Sequence, residues 1–152
     1  MKKISAAVAV ALLAAVVGGC GASSPEITTQ DVERSVVNFG KKKERKLGDL
    51  IVTNGYILDG AQQLVGRFDM TETLTGFANE REVRTKQVQM SWADSADSLV
   101  LIGTHEHPPN AAPIDDVAEF VVVGGTGRYD GVRGKAEVQF DGQYYRWKLS
   151  LL

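Results

Sequence analysis

Lys135-Ala136-Glu137-Val138-Gln139-Phe140-Asp141-Gly142-Gln143-Tyr144-Tyr145-Arg146-Trp147-Lys148-Leu149 alternates apolar and polar residues on both sides of an Asp-Gly pair. An alternation of period two puts successive side chains on opposite faces of an extended strand. Ala136, Val138 and Phe140 then share one face of the first strand, and Tyr145, Trp147 and Leu149 share one face of the second. Asp-Gly is a favoured pair for a two-residue type I′ turn, whose two central residues both need positive φ. The segment therefore predicts a β-hairpin, with strands Lys135–Phe140 and Gln143–Leu151.

The same period recurs upstream. Val83 to Trp92 places Val88, Met90 and Trp92 on one face, with Gln87, Gln89 and Ser91 on the other. Asp94-Ser95-Ala96-Asp97 reads as a turn, and Ser98 to Thr104 as the next strand. Asp49 to Leu58 and Gln63 to Leu74 form a second pair around Asp59-Gly60, and Val117 to Val123 is a further strand. Three prolines between His107 and Pro113 mark a longer loop. With one strand in Val32 to Phe39, the chain has eight. No apolar stripe of period 3.6 and helical length follows the N-terminal segment, so the fold class is all-β. Eight antiparallel strands can close into a barrel whose interior is filled by side chains or holds one small ligand.

Met1-Lys2-Lys3 followed by the apolar run Ile4 to Val17 reads as an export signal, too short to span a bilayer comfortably. The run ends at Val17-Gly18-Gly19-Cys20, which resembles a bacterial lipobox. Cys20 is the only cysteine among the 152 residues and is the expected lipidation site. Two acyl chains on it would hold the protein stably on a membrane. The expected organisation is a signal peptide over 1–19, a flexible tether over 20–31 and a barrel domain over 32–152. The expected location is extracytoplasmic, anchored to the cell membrane through the lipid.

Removing Lys2 and Lys3 from the 17 basic residues leaves 15 against 19 acidic ones, a balance that argues against a nucleic-acid partner. The basic run Lys41 to Lys46 reads as a solvated loop. Val123-Gly124-Gly125-Thr126-Gly127 imitates a dinucleotide-binding turn, but a period-two strand follows where that motif needs a helix. It reads better as a glycine-rich connection between strands.

That connection carries a resemblance. Val122-Val123-Gly124-Gly125-Thr126-Gly127-Arg128-Tyr129, continuing to Arg133-Gly134-Lys135-Ala136, resembles the dirigent motif. Leu47-Gly48-Asp49-Leu50 is similar to a segment that leads to a pocket Asn in allene oxide cyclases. Leu64-Val65-Gly66-Arg67 and Leu99 to Gly103 resemble strands of both families. The resemblance covers about residues 47 to 152. It implies a calycin-like barrel, often trimeric, opening on a pocket for a small hydrophobic molecule, with no metal or organic cofactor. The related proteins orient reactive substrates: cyclisation in allene oxide cyclases and bacterial polyketide cyclases, and phenoxy radicals or quinone methides in dirigent proteins.

On that footing Asn54 and Arg133 are the expected catalytic residues. Leu50, Val52, Asn54, Tyr56 and Leu58 share one face of a strand, so Asn54 is one amide in an otherwise apolar or aromatic row. A buried amide is paired either with backbone or with a ligand. Arg133 either clamps an oxyanion or forms a surface ion pair. Leu50, Val52, Tyr56, Phe68, Met70, Trp92 and Trp147 are the expected ligand-binding residues. His105-Glu106-His107 lacks a third ligand for a metal and reads as a loop rim. Two functions stand: a cofactor-independent cyclase or isomerase, and a non-catalytic binder of a lipophilic metabolite. Partners beyond the small hydrophobic ligand are the membrane, through the anchor, and another copy of the chain in a dimer or trimer.

Overall fold

The computed structural model describes residues 26–37, 45–108 and 116–152. These form one closed barrel of eight strands in chain order, β1 Glu26–Val37, β2 Leu50–Leu58, β3 Leu64–Ala78, β4 Arg81–Trp92, β5 Ser98–His107, β6 Ala118–Thr126, β7 Gly134–Phe140 and β8 Tyr145–Leu151. Every neighbouring pair is antiparallel, and β1 closes on β8 through Glu26↔Lys148 to Thr29↔Tyr145. Each strand therefore has a hydrogen-bonded neighbour on both sides.

Differences from the sequence reading lie at strand ends. β1 begins at Glu26, so Glu26 to Asp31 belong to the barrel and not to the tether. Ile27 and Thr29 point inward, and Thr29 accepts a hydrogen bond from Trp147 Nε1 at 2.9 Å. Residues 1–25, including Cys20 and the expected signal segment, lie outside the described residues, as does Lys41 to Glu44 of the basic run. Asp141-Gly142 does join β7 to β8, but through a four-residue connection in which only Gly142 has positive φ. The Asp141 carboxylate sets this turn by accepting the backbone N–H groups of Gln143 at 3.0 Å and Tyr144 at 2.7 Å. These bonds hold its pKa down, to about 2.

The glycine-rich segment ends β6, passes through a 3₁₀ turn at Gly127–Tyr129 and enters β7. It is a strand connection with no following α-helix. Gly127 has φ +63°, and a Cβ there would collide with the Asp97 carboxylate. That carboxylate accepts the Arg128 backbone N–H at 2.9 Å and pairs with the Arg128 guanidinium at 2.8 Å. Arg128 lies over the rings of Trp92 and Tyr129, which are 5.1 Å apart. This cluster sits at the barrel end formed by the starts of odd-numbered strands and the ends of even-numbered ones.

The interior divides into two halves. Towards the glycine-rich end it is a dry core containing Ile57, Val88, Met90, Leu99, Val122 and Leu149. Towards the other end the inward positions of β3, β4 and β5 carry Glu72, Glu82, Arg84, Lys86, His105 and His107. Apolar walls and a charged layer thus occupy one barrel.

Candidate ligand site in the barrel interior

The pleat and two irregularities aim the charged layer. On β3 and β4 the even-numbered residues face inward, which sets Glu72 opposite Lys86 and Leu74 opposite Arg84. Continuing across the sheet, Arg84 pairs with His105 and Glu82 with His107. In β1 a bulge between Asp31 and Glu33 inserts Val32, which switches the inward positions from odd to even numbers. Arg34 therefore turns towards Glu72, with Nη2 3.4 Å from Oε1.

Arg84 is the centre of the layer and is fully buried. Its Nη1 is 3.1 Å from Glu72 Oε2, its Nε is 2.9 Å from Glu82 Oε2, and Nη2 also bonds Glu82. Lys86 Nζ lies 3.5 Å from the same Glu72 oxygen. Arg45 stands at 3.9 Å from Glu82 on the outer side. Burial is the largest single effect on the Glu72 carboxyl and pushes it up, but Lys86, Arg34 and Arg84 together outweigh it and hold the group below its usual range. Burial lowers Lys86 to about 8 and His107 to about 3, with neighbouring cations acting in the same direction on both. Both imidazoles are therefore neutral at physiological pH, His105 being lowered to about 4.

A cavity opens beside this layer. Its apolar wall is Phe68, Met70, Phe120, Val138, Tyr145 and Trp147, and its polar end is Thr29, Thr53, Glu72, Lys86 and His107, with Asp31 and Arg34 at the mouth. The space between these residues is about 420 Å³ including the open mouth, and its enclosed part has room for about one water. Among the buried polar atoms, Thr53 Oγ1 and both ring nitrogens of His107 have no hydrogen-bond partner. Buried polar groups are paired in the great majority of cases, so unpaired ones lining a cavity call for a partner within it, a water or another molecule.

Three of the sequence candidates, Phe68, Met70 and Trp147, line this cavity. The others do not. Leu50, Val52, Asn54, Tyr56 and Leu58 do share a face, but it is the outer one, because Ile51, Thr53, Gly55 and Ile57 are the buried set. Asn54 is half-exposed beside Tyr56 and Arg67 in a shallow surface groove. Trp92 belongs to the closed end with Tyr129, and Arg133 is exposed there, its Nη1 bonding the carbonyl of Val132 at 2.8 Å. Asn54 and Arg133 are thus apart from the cavity and from each other. His105 and His107, expected at a loop rim, lie within β5. Among the described residues no cluster of three metal-ligating side chains forms.

Sequence reasoning missed Glu72, Lys86 and Thr53, and it put His107 on a loop rim instead of in the barrel interior. The signal was present in the even spacing of Glu72, Glu82, Arg84 and Lys86 with the apolar residues Phe68, Met70, Val88 and Met90 of the same strands.

The fold and this pocket define a closed, eight-stranded antiparallel barrel with an apolar-walled interior and a charged end. No protein-family model matches the sequence, and no curated protein sequence matches it. Solved structures with the same fold include a pyocyanin demethylase, with TM-score 0.67 and 16% identity over 85% of this chain and 99% of that one. A pterocarpan synthase dirigent protein matches with TM-score 0.64 and 17% identity, over 84% and 82% of the two chains. A Diels Alderase from Streptomyces koyangensis matches with TM-score 0.61 and 19% identity, over 83% of this chain and 60% of its own. At these identities the likeness is one of fold. None of these three is described as an allene oxide cyclase.

Proposed function

We propose that the barrel binds a small, largely apolar molecule through its interior cavity and guides the molecule's stereoselective cyclisation or isomerisation. The observation that carries this reading is the pair of unpaired buried groups, Thr53 Oγ1 and the His107 imidazole, beside the Lys86 ammonium in a cavity walled by Phe68, Phe120 and Trp147. A layer built only for stability has little reason to be ionic, since buried ion pairs are often no better than apolar residues of equal volume. The barrel likeness to a Diels Alderase and to a dirigent protein supports a role in orienting a reactive substrate.

In such a reaction the aromatic walls fold a flexible substrate into a near-attack shape, and orientation alone can lower a barrier by several kcal/mol. Lys86 and Thr53 donate to a substrate oxygen and withdraw electron density from the conjugated system attached to it. A cycloaddition or electrocyclic closure converts π bonds into σ bonds, with no proton or electron leaving the substrate, so the side chains only orient and polarise.

The alternative is capture without conversion. It is separated from the first by a single experiment: mass spectrometry of small molecules retained by the purified protein, followed by incubation with the extracted ligand. Conversion of the retained molecule supports the cyclase; return of it unchanged supports the binder; an empty protein counts against both. The lipid anchor at Cys20 belongs to the same proposal. Cys20 lies about 20 Å or less of chain from Glu26, which starts β1 at the barrel end opposite the cavity mouth. Cys20→Ser is then expected to release the protein from the membrane fraction, and continued sedimentation after a carbonate wash would count against the anchor.

A further inference from the structure

We infer that the molecule taken by the cavity is an anion, a carboxylate or an enolate or phenolate, whose charged oxygen sits against Lys86 between Thr53 and His107. The inference rests on the reading of the cavity as the binding site and adds the chemical class of what enters it.

Lys86 has three N–H donors, and one ion pair engages them, to Glu72 Oε2 at 3.5 Å. That oxygen is already held more closely by Arg84 at 3.1 Å, and the second Glu72 oxygen is engaged by Arg34 at 3.4 Å. Glu72 therefore divides one negative charge among Lys86, Arg34 and Arg84. Its ammonium lines the cavity and is almost wholly withdrawn from water. Gly103, its cross-strand neighbour on β5, puts no side chain beside it.

The groups converging with Lys86 are also donors. The Thr53 hydroxyl can donate, and neutral His107 carries one N–H, and neither has a partner. An ammonium, a hydroxyl and an imidazole N–H are together complemented by a group that only accepts and carries negative charge. A cationic ligand would face Lys86 and Arg34, and a neutral one would leave the ammonium's charge no better compensated. The carboxylates at the cavity do not reverse this. Glu72 is already surrounded by cations, and Asp31 lies at the mouth, where burial raises its pKa. The walls of Phe68, Phe120, Tyr145 and Trp147 select an aromatic or polyunsaturated carbon skeleton.

Trp147 reports on this cavity, and Trp92→Phe leaves it the sole tryptophan, since the chain has two. In that background, quenching of Trp147 is titrated with 2-naphthoate, methyl 2-naphthoate and 2-naphthylmethylammonium, which share a ring system and differ in charge. Naphthoate is expected to bind about tenfold or more tighter than the ester and the amine, as for a hydrogen bond to a charged group. Lys86→Met is expected to bring naphthoate to the level of the ester, and Lys86→Arg to retain most of the preference. Equal or tighter binding of the ester, with Trp147 quenched, overturns the anion while leaving the pocket. Failure of all three to quench at millimolar concentration overturns both. Should Lys86→Met not fold, the ranking of the three probes on the unmutated lysine decides, and Lys86→Arg checks it.

Discussion

The Arg84 guanidinium and the Glu72 carboxylate meet 3.1 Å apart inside the barrel, both withdrawn from solvent, and Arg84 bridges on to Glu82. Removing the guanidinium leaves Glu82, among the described residues, with Arg45 alone, at 3.9 Å, and Glu72 with Lys86 and Arg34, in a medium that solvates carboxylates poorly. Arg84→Met is therefore expected to destabilise the fold by about 3–5 kcal/mol, the range for breaking a buried pair from one side. Adding Glu82→Gln to the same chain removes the carboxylate left with the weaker compensation, while Glu72 keeps Lys86 and Arg34, and is expected to recover most of that loss. Urea denaturation of the single and double variants checks this; a single-variant loss below about 1 kcal/mol would show the layer to be wetter than its burial indicates.

Lys86 gives the site an alkaline limit. Burial lowers its pKa to about 8, with Arg84 on its own strand and Arg34 from β1 adding to the effect and Glu72 from β3 opposing it. Asp31, Tyr145, Glu82, Arg45, His105 and His107 complete the titratable groups around the cavity and the charged layer. An anion held by the ammonium should bind with constant affinity below about pH 8 and lose about tenfold per unit above it. Stability moves the other way. The folded pKa lies below the unfolded value of about 10.4, so the unfolded chain binds more protons between the two and stability rises with pH across that window. A pH titration of naphthoate binding beside thermal melts checks both slopes, and Lys86→Met should remove them together.

His107 has an acid counterpart. Its folded pKa is about 3 because burial disfavours the imidazolium, against about 6.5 in the unfolded chain. As pH falls below 6.5 the unfolded state takes up the proton first, so stability is lost progressively from there down to the folded pKa. By pH 5 this amounts to about 2 kcal/mol. His107→Leu, which keeps an apolar group in that place, should show a shallower loss of stability between pH 6.5 and 4. His105 retains its own slope of the same sign, and an unchanged profile in the variant would mean that His107 is protonated in the fold.

The barrel was legible in the sequence because its dry half obeys the alternation rule. Val88, Met90 and Trp92, or Ala136 and Val138, mark an inner face unambiguously. Legibility failed where the interior turns polar. Beyond Leu74 and before Val88 the inward positions hold Glu82, Arg84 and Lys86, which look like an outer face, so β3 and β4 read shorter than they are. His107 failed for another reason: the prolines directly after it suggested a loop, although β5 continues to His107 itself. The start of β1 was hidden by Thr28 and Thr29, buried hydroxyls that bond to Arg146 and Trp147. On β2 both rows carry aliphatic residues, so the alternation defined two faces without telling which faces in.

Thr53 and Asn54 turn that ambiguity into a test, since they are neighbours on β2 and point to opposite sides of the wall. Thr53 is fully buried, faces Met70 across the sheet and lines the cavity, and its hydroxyl has no partner. Thr53→Val replaces that hydroxyl with a methyl of similar size, so the unliganded barrel should be as stable or slightly more so, because no unsatisfied oxygen remains buried. Binding of naphthoate should weaken by about fivefold or more, the effect of one lost hydrogen bond. Asn54 lies on the outer face, in a groove with Val32, Tyr56 and Arg67. Asn54→Leu should leave cavity affinity within about twofold, in the range of surface substitutions. Trp147 quenching and thermal melts on the two variants give four numbers. If affinity falls with Asn54→Leu and holds with Thr53→Val, then the ligand binds on the outer face of β2, and the barrel interior is a structural core alone.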